Sequence, residues 1–99
     1  MAKLRWSRQA ADDFDQACEF IARDSPRYAA VFAQRVMLVL ERMAKQRLPG
    51  SLVPEYQREE IRERLVHSYR IVVRVRASQR VLEVVRIIHG ARLLLPLDQ

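Results

Sequence analysis

The sequence predicts an α+β domain: a short opening strand, an antiparallel helical hairpin, and a small antiparallel sheet against which the hairpin packs. Two observations carry this. Between residues 8 and 45 apolar side chains recur at three- and four-residue steps, the period of amphipathic helices, whereas between residues 59 and 89 the period falls to two. Ser25-Pro26 and Pro49-Gly50 punctuate the chain where the pattern restarts and where it changes. At 99 residues there is enough chain for one core and not for two, so residues 1–99 form a single domain.

Residues 3–6 end in the large aromatic Trp6 and precede Ser7, a good helix N-cap, which marks a brief strand. Over residues 8–23, Ala10, Phe14, Ala17 or Cys18, and Ile21 make an apolar stripe. Asp12, Asp13, Asp15 and Glu19 interleave with it, the early acids near the positive end of the helix dipole. Ser25 then caps a second helix, with Pro26 at its first position where a missing N–H is harmless. Its stripe of Ala29, Phe32, Val36, Val39, Leu40 and Met43 runs to about Lys45, and two helices joined so tightly form a hairpin. Residues 50–56 are a connector. Strands follow at 59–66, 69–76 and 81–89, with turns at His67-Ser68 and Ala77-Ser78-Gln79 that are too short for crossovers, so the sheet is expected to be antiparallel.

Charge is concentrated late in the chain. Residues 62–92 hold eight arginines and two acids, an excess equal to the net charge of +6 of the whole protein. If Tyr69, Ile71, Val73 and Val75 face the helices, Arg70, Arg74 and Arg76 point the other way. The expectation is a one-faced array in which they stand beside Arg62 and Arg64. Arg86 and Arg92 add to a patch that fits an anionic partner or, equally on composition, a solvated surface. On this register Arg70 should be dispensable for folding.

Other chemistries lack their residues. There is no glycine-rich phosphate loop, no Cys/His set at metal spacing, and no nucleophile with a base, so no metal or cofactor is expected. One cysteine, Cys18, allows no internal disulfide. The basic N-terminus meets Ser7-Arg8-Gln9 before a signal core can form, and no run of about eighteen apolar residues appears, which points to a cytoplasmic protein off the membrane. The remaining set is Glu55, the strand arginines and His89. A carboxylate, a guanidinium and an imidazole are the base, charge stabiliser and acid that RNA cleavage needs, though the same residues commonly form salt bridges and strand ends.

The ordered combination Trp6-Ser7, Ser25-Pro26, Val53-Pro54-Glu55, Ile61-Arg62-Glu63, Tyr69-Arg70-Ile71-Val72 and Val85-Arg86-Ile87-Ile88-His89-Gly90-Ala91-Arg92 resembles the RelE/ParE toxin superfamily over nearly the whole chain. That resemblance implies the toxin of a type II toxin–antitoxin system, bound by an antitoxin whose C-terminal segment wraps it in a hetero-oligomer. RelE-like members are ribosome-dependent mRNA endoribonucleases; ParE-like members poison DNA gyrase. In the YoeB-like nucleases the cleaving residues correspond to Glu55, Arg70 and His89, with a tyrosine where this chain has Gly90. His89-Gly90-Ala91-Arg92 followed by Leu93-Leu94-Leu95-Pro96-Leu97 is more similar to the ParE-like branch. The resemblance therefore implies a gyrase poison, with the ribonuclease and a non-toxic nucleic-acid-binding module as alternatives. Arg62, Arg64, Arg74, Arg76, Arg86 and Arg92 are the candidate target contacts.

Overall fold

A computed structural model of the chain describes residues 1–92 and Leu94. In chain order the elements are β1 (Lys3–Trp6), α1 (Arg8–Asp24), α2 (Pro26–Met43), β2 (Ser51–Leu52), β3 (Ile61–Val66), β4 (Tyr69–Arg76), a 3-10 turn (Ala77–Gln79) and β5 (Val81–His89). Both helix starts follow from local chemistry: the Ser7 hydroxyl accepts from the Ala10 N–H and the Ser25 hydroxyl from the Tyr28 N–H, each at 3.0 Å. Ser25 also closes α1, its own N–H donating to the Ile21 carbonyl at 3.0 Å. A one-residue joint leaves the helices no course but to fold back on each other, and both lie on the same face of the sheet. The second helix stops at Met43, slightly short of the expected end. Ala44 caps it and its carbonyl accepts from the Ala2 N–H at 2.8 Å.

The sheet has five strands in the order β1-β5-β4-β3-β2. The three long strands are antiparallel neighbours as expected, but the sheet is mixed, because β1 runs parallel to β5. Short turns dictate direction only between strands adjacent in sequence; β1 reaches β5 by way of the whole hairpin, a connection long enough for a parallel crossover. The connector also contributes β2, two residues paired with β3, where no strand was expected.

Apolar cores form on both faces. Between helices and sheet lie Phe32, Val36, Leu40 and Met43 of α2, Ala10 and Ala17 of α1, and Ile71, Val73, Leu82, Val84 and Ile87 of the strands. On the far face, Val53 of the connector and Leu94 of the C-terminal segment cover Ile61, Val72 and Ile88. Leu94 of the apolar C-terminal segment thus docks on the chain's own fold; Leu93 and residues 95–99 lie outside the described residues.

The one-faced arginine array does not form. Arg62 pairs with Val73 and Arg64 with Ile71, and residues paired across an antiparallel ladder share a face. Both arginines therefore lie on the helix side, while Arg70 and Arg74 are on the other with Leu65 and Ile61 as their partners. Arg86 leaves the array too. Val72 pairs with Arg86 and Val73 with Val84, so Val85 is bulged out and the strand bends.

Arg86 donates instead to Asp13 at 2.8 Å, the same carboxylate oxygen that accepts from the Ile87 N–H at 2.9 Å. The Gln9 amide binds its second oxygen at 3.0 Å. Asp13, grouped by sequence with the polar stripe, is 8% exposed and pins α1 to β5. Asp13→Ala should lower the unfolding free energy by about 2–3 kcal/mol, since it strands a buried N–H and a half-buried guanidinium. Urea denaturation checks this; Asp13→Asn, which keeps an acceptor oxygen, should cost less.

Candidate functional site

Two backbone features bring the candidate residues together. The two-residue turn His67-Ser68, with His67 in the left-handed region at φ 55°, fixes the β3–β4 register and sets Arg70 opposite Leu65, diagonal to Glu63. The connector turns at residues 53–57, where the Val53 carbonyl accepts from the amides of Tyr56 and Gln57 at 3.1 and 2.9 Å. With Val53 seated in the far-side core, this turn aims Glu55 at Arg70.

Arg70 is 6% exposed. Its two terminal nitrogens each donate to one oxygen of Glu55 at 2.6 Å, a bidentate fork. Its Nε donates to Glu63 at 2.7 Å and Nη1 also to the Arg92 carbonyl at 3.2 Å. Four of the five guanidinium N–H groups are thereby committed within the protein. The Leu94 N–H adds a bond to Glu55 at 3.1 Å, so the C-terminal segment clasps both partners. Hydrogen bonds from Arg70 hold the Glu55 carboxyl at about 2, against an ordinary 4.5. Arg70 is shifted upward by the same bonds, so the pair stays charged at any working pH.

Of the three residues corresponding to the nuclease set, Glu55 and Arg70 meet and His89 does not. His89 pairs with Tyr69 on the helix side, ring edge to face at 5.7 Å. There it borders a groove of about 330 Å³ beside α1 with Phe20, Arg23 and Arg92. On the Arg70 side an open cavity of about 470 Å³ is lined by Glu55, Glu63, Leu65 and Gly90. A Cβ at position 90 would lie 3.1 Å from the Ser68 carbonyl and 3.8 Å from the Arg70 side chain. Glycine leaves that space open where a nuclease-like tyrosine would stand.

The remaining arginines are spread out. Arg62 donates to the carbonyls of Pro49 and Gly50 at 3.0 and 3.1 Å and holds the end of the connector. Arg76 pairs with Glu83 at 3.3 Å. Arg64 is half-buried on the helix side; Arg74 is half-buried on the far side, its Nε enclosed without a hydrogen-bond partner among the described residues. Among the candidate arginines only Arg92 is exposed. Sequence reasoning missed Glu63, whose diagonal relation to Arg70 follows once the turn at 67–68 is used to set the register. The backbone groups of Arg92 and Leu94 carry no sequence signal. Among the described residues no three His, Cys, Asp or Glu side chains gather as a metal set.

A helical hairpin on a five-stranded sheet, together with a family match over residues 4–94, makes the chain a toxin of the RelE/ParE superfamily. The matching family model is that of the ParE toxin of the type II toxin–antitoxin system parDE, and the chain belongs to that family. A solved chain of the chromosomal ParDE TA system from P. aeruginosa has the same fold, with a TM-score of 0.70 at 20% sequence identity over 90% of this chain and 96% of that chain. No curated protein matches the chain significantly.

The geometry reverses the expectation for Arg70. Arg70→Ala leaves two largely enclosed carboxylates facing each other, and should cost roughly 2–4 kcal/mol of stability by chemical denaturation. Acid should act through the same pair. Because the folded-state pKa of Glu55, about 2, lies below its ordinary 4.5, its contribution is complete above about pH 5 and is lost as pH falls through 4.5 toward 2. Denaturation midpoints measured across that window should fall for the native chain and fall less steeply for Glu55→Gln.

Proposed function

We propose that this toxin arrests growth by poisoning DNA gyrase, and that a cognate antitoxin holds it inactive until released. The observation that carries the choice of target is the state of Arg70. A guanidinium that is to stabilise the charge of RNA cleavage must present donors to phosphate, and here four N–H groups are already engaged by Glu55, Glu63 and the Arg92 carbonyl. Glu55, held far below neutrality in the same pair, is a poor base for a 2′-hydroxyl. His89, the candidate acid, stands on the other face of the sheet. With the nuclease parts separated and neutralised, membership of the ParE family favours the non-enzymatic mode of action.

Among the described residues, the groove where His89, Phe20, Arg23 and the exposed Arg92 converge is a surface open to the target. No helix among the described residues is long and apolar enough to cross a membrane. A partner that binds only the folded chain would add stability by mass action, a large effect for a domain this small.

The decisive experiment sets the purified toxin against gyrase supercoiling and, in parallel, against ribosome-bound mRNA. Inhibition of supercoiling with no mRNA cleavage is expected, and His89→Gln should retain at least about half of the inhibition, since no proton transfer through the imidazole is required. Cleavage of ribosome-bound mRNA that disappears in His89→Gln, with supercoiling untouched, would overturn the proposal.

A further inference from the structure

Positive charge that the fold leaves unbonded gathers at one end of the molecule. Among the strand arginines, Arg62, Arg70, Arg76 and Arg86 are each bonded within the fold. Lys3, Lys45, Arg47 and Arg80, by contrast, are exposed, and none of them forms an ion pair among the described residues. Backbone bonds bring three segments together there. The Ala2 N–H donates to the Ala44 carbonyl at 2.8 Å, tying the start of the chain to the end of α2. The Lys3 N–H donates to the Arg80 carbonyl at 2.8 Å and the Arg80 N–H to the Ala77 carbonyl at 3.1 Å, which joins both to the turn before β5. Arg80 holds this place in the left-handed region at φ 53°, where glycine or asparagine is the easier residue.

Two adjoining open grooves, of about 750 and 280 Å³, share Lys45 and Arg80. Lys3 borders the larger and Arg47 the smaller, and among the described residues Glu41 is the single acid on either. A cation just past the end of α2 offsets the dipole of that helix, which accounts for Lys45 and Arg47. It does not account for Lys3 and Arg80, which come from other elements.

We infer that this end of the molecule binds the phosphate backbone of duplex DNA without regard to base sequence. Four unbonded cations against one carboxylate match a polyanion, and the amides of Gln46 and Gln79 beside them can donate to phosphate and sugar oxygens. A single strand is a poorer occupant, because neither groove is lined by an aromatic ring on which bases could stack. A lipid surface is poorer too: of the exposed large apolar side chains, only Met1 reaches these grooves. Gyrase works on duplex DNA, so this surface lets the toxin touch enzyme and DNA at once. That link rests on the target reading above; the match of charge does not.

The test titrates the full chain with a fluorescent duplex of about twenty base pairs and mixed sequence, following anisotropy from about 50 to 200 mM salt. The logarithm of the affinity should fall against that of salt with a slope of about −3 to −4, one phosphate for each unbonded cation. Lys45→Gln with Arg47→Gln and Arg80→Asn, the last suited to the left-handed backbone, should bind about tenfold or more weakly, its slope shallower by about two to three. Arg8→Gln with Arg27→Gln and Arg35→Gln removes three exposed cations of the helices and should keep affinity within about threefold. If the first variant unfolds, Lys45→Gln with Arg47→Gln, both outside any helix or strand, makes the same comparison. No duplex binding by the native chain at low salt, equal losses in the two sets of variants, or binding to phosphatidylglycerol vesicles and not to the duplex overturns the inference. Duplex binding by a chain that leaves supercoiling untouched refutes the target proposal and leaves this surface standing; inhibition of supercoiling without duplex binding does the reverse.

Discussion

The fold depends on keeping one cation out of water. Arg70 sits mid-sheet with almost no exposure, and an isolated guanidinium there would be prohibitively costly, so its surroundings are fixed by the need to balance it. Glu63 comes from the neighbouring strand, Glu55 from a connector with little regular structure of its own, and two backbone groups from the C-terminal segment. Two strands, the connector and the C-terminal segment are thereby held in one arrangement. The geometry does what a buried hydrogen-bonded pair does best: it rejects alternative placements, because any shift of connector or tail unpairs a charge.

Around this clasp, the sheet is covered unequally. The hairpin buries one face with large side chains such as Phe32, Leu40 and Met43; the other carries a smaller core roofed by Val53 and Leu94. Residues 49–56 therefore belong to the core structure. Arg62 bonds the carbonyls of Pro49 and Gly50, while Gly50, at φ 63°, lies so close to the Glu63 backbone that a Cβ would fall 2.2 Å from its carbonyl oxygen. Glycine is required there for its small size as much as for its backbone freedom.

What was legible in the sequence is what local chemistry decides. Serine caps, the Ser25-Pro26 joint, the two helical stripes and the spans of β1, β4 and β5 needed only near neighbours, and the structure places them within a residue or two of the expectation. The arginine array failed through an error of phase. With His67-Ser68 as a two-residue turn, Val66 must pair with Tyr69 and share its helix-facing side, which carries Arg64 and Arg62 with it; the turn and the facing of β4 together contained that answer. The bulge at Val85 and the burial of Asp13 were not legible. Each depends on where α1 crosses β5, a contact between segments more than seventy residues apart.

The clasp bears on how a resemblance is weighed. Glu55 and Arg70 stand at positions that match a nuclease pattern, and a reading of residue types alone counts them toward cleavage. Here they hold the connector and tail to the sheet, so removing either unpairs a charge whatever reaction the surface supports. A feature that the fold itself needs cannot discriminate among activities built on that fold. Discrimination has to come from positions the fold leaves free. Gly90 forgoes a side chain over Arg70, His89 faces away from it, and Arg92 is held by its backbone while its side chain reaches solvent. At position 90 the chain departs from the nuclease-like pattern, while at Glu55 and Arg70, which the clasp needs, it keeps that pattern; only the free positions bear on the choice of activity.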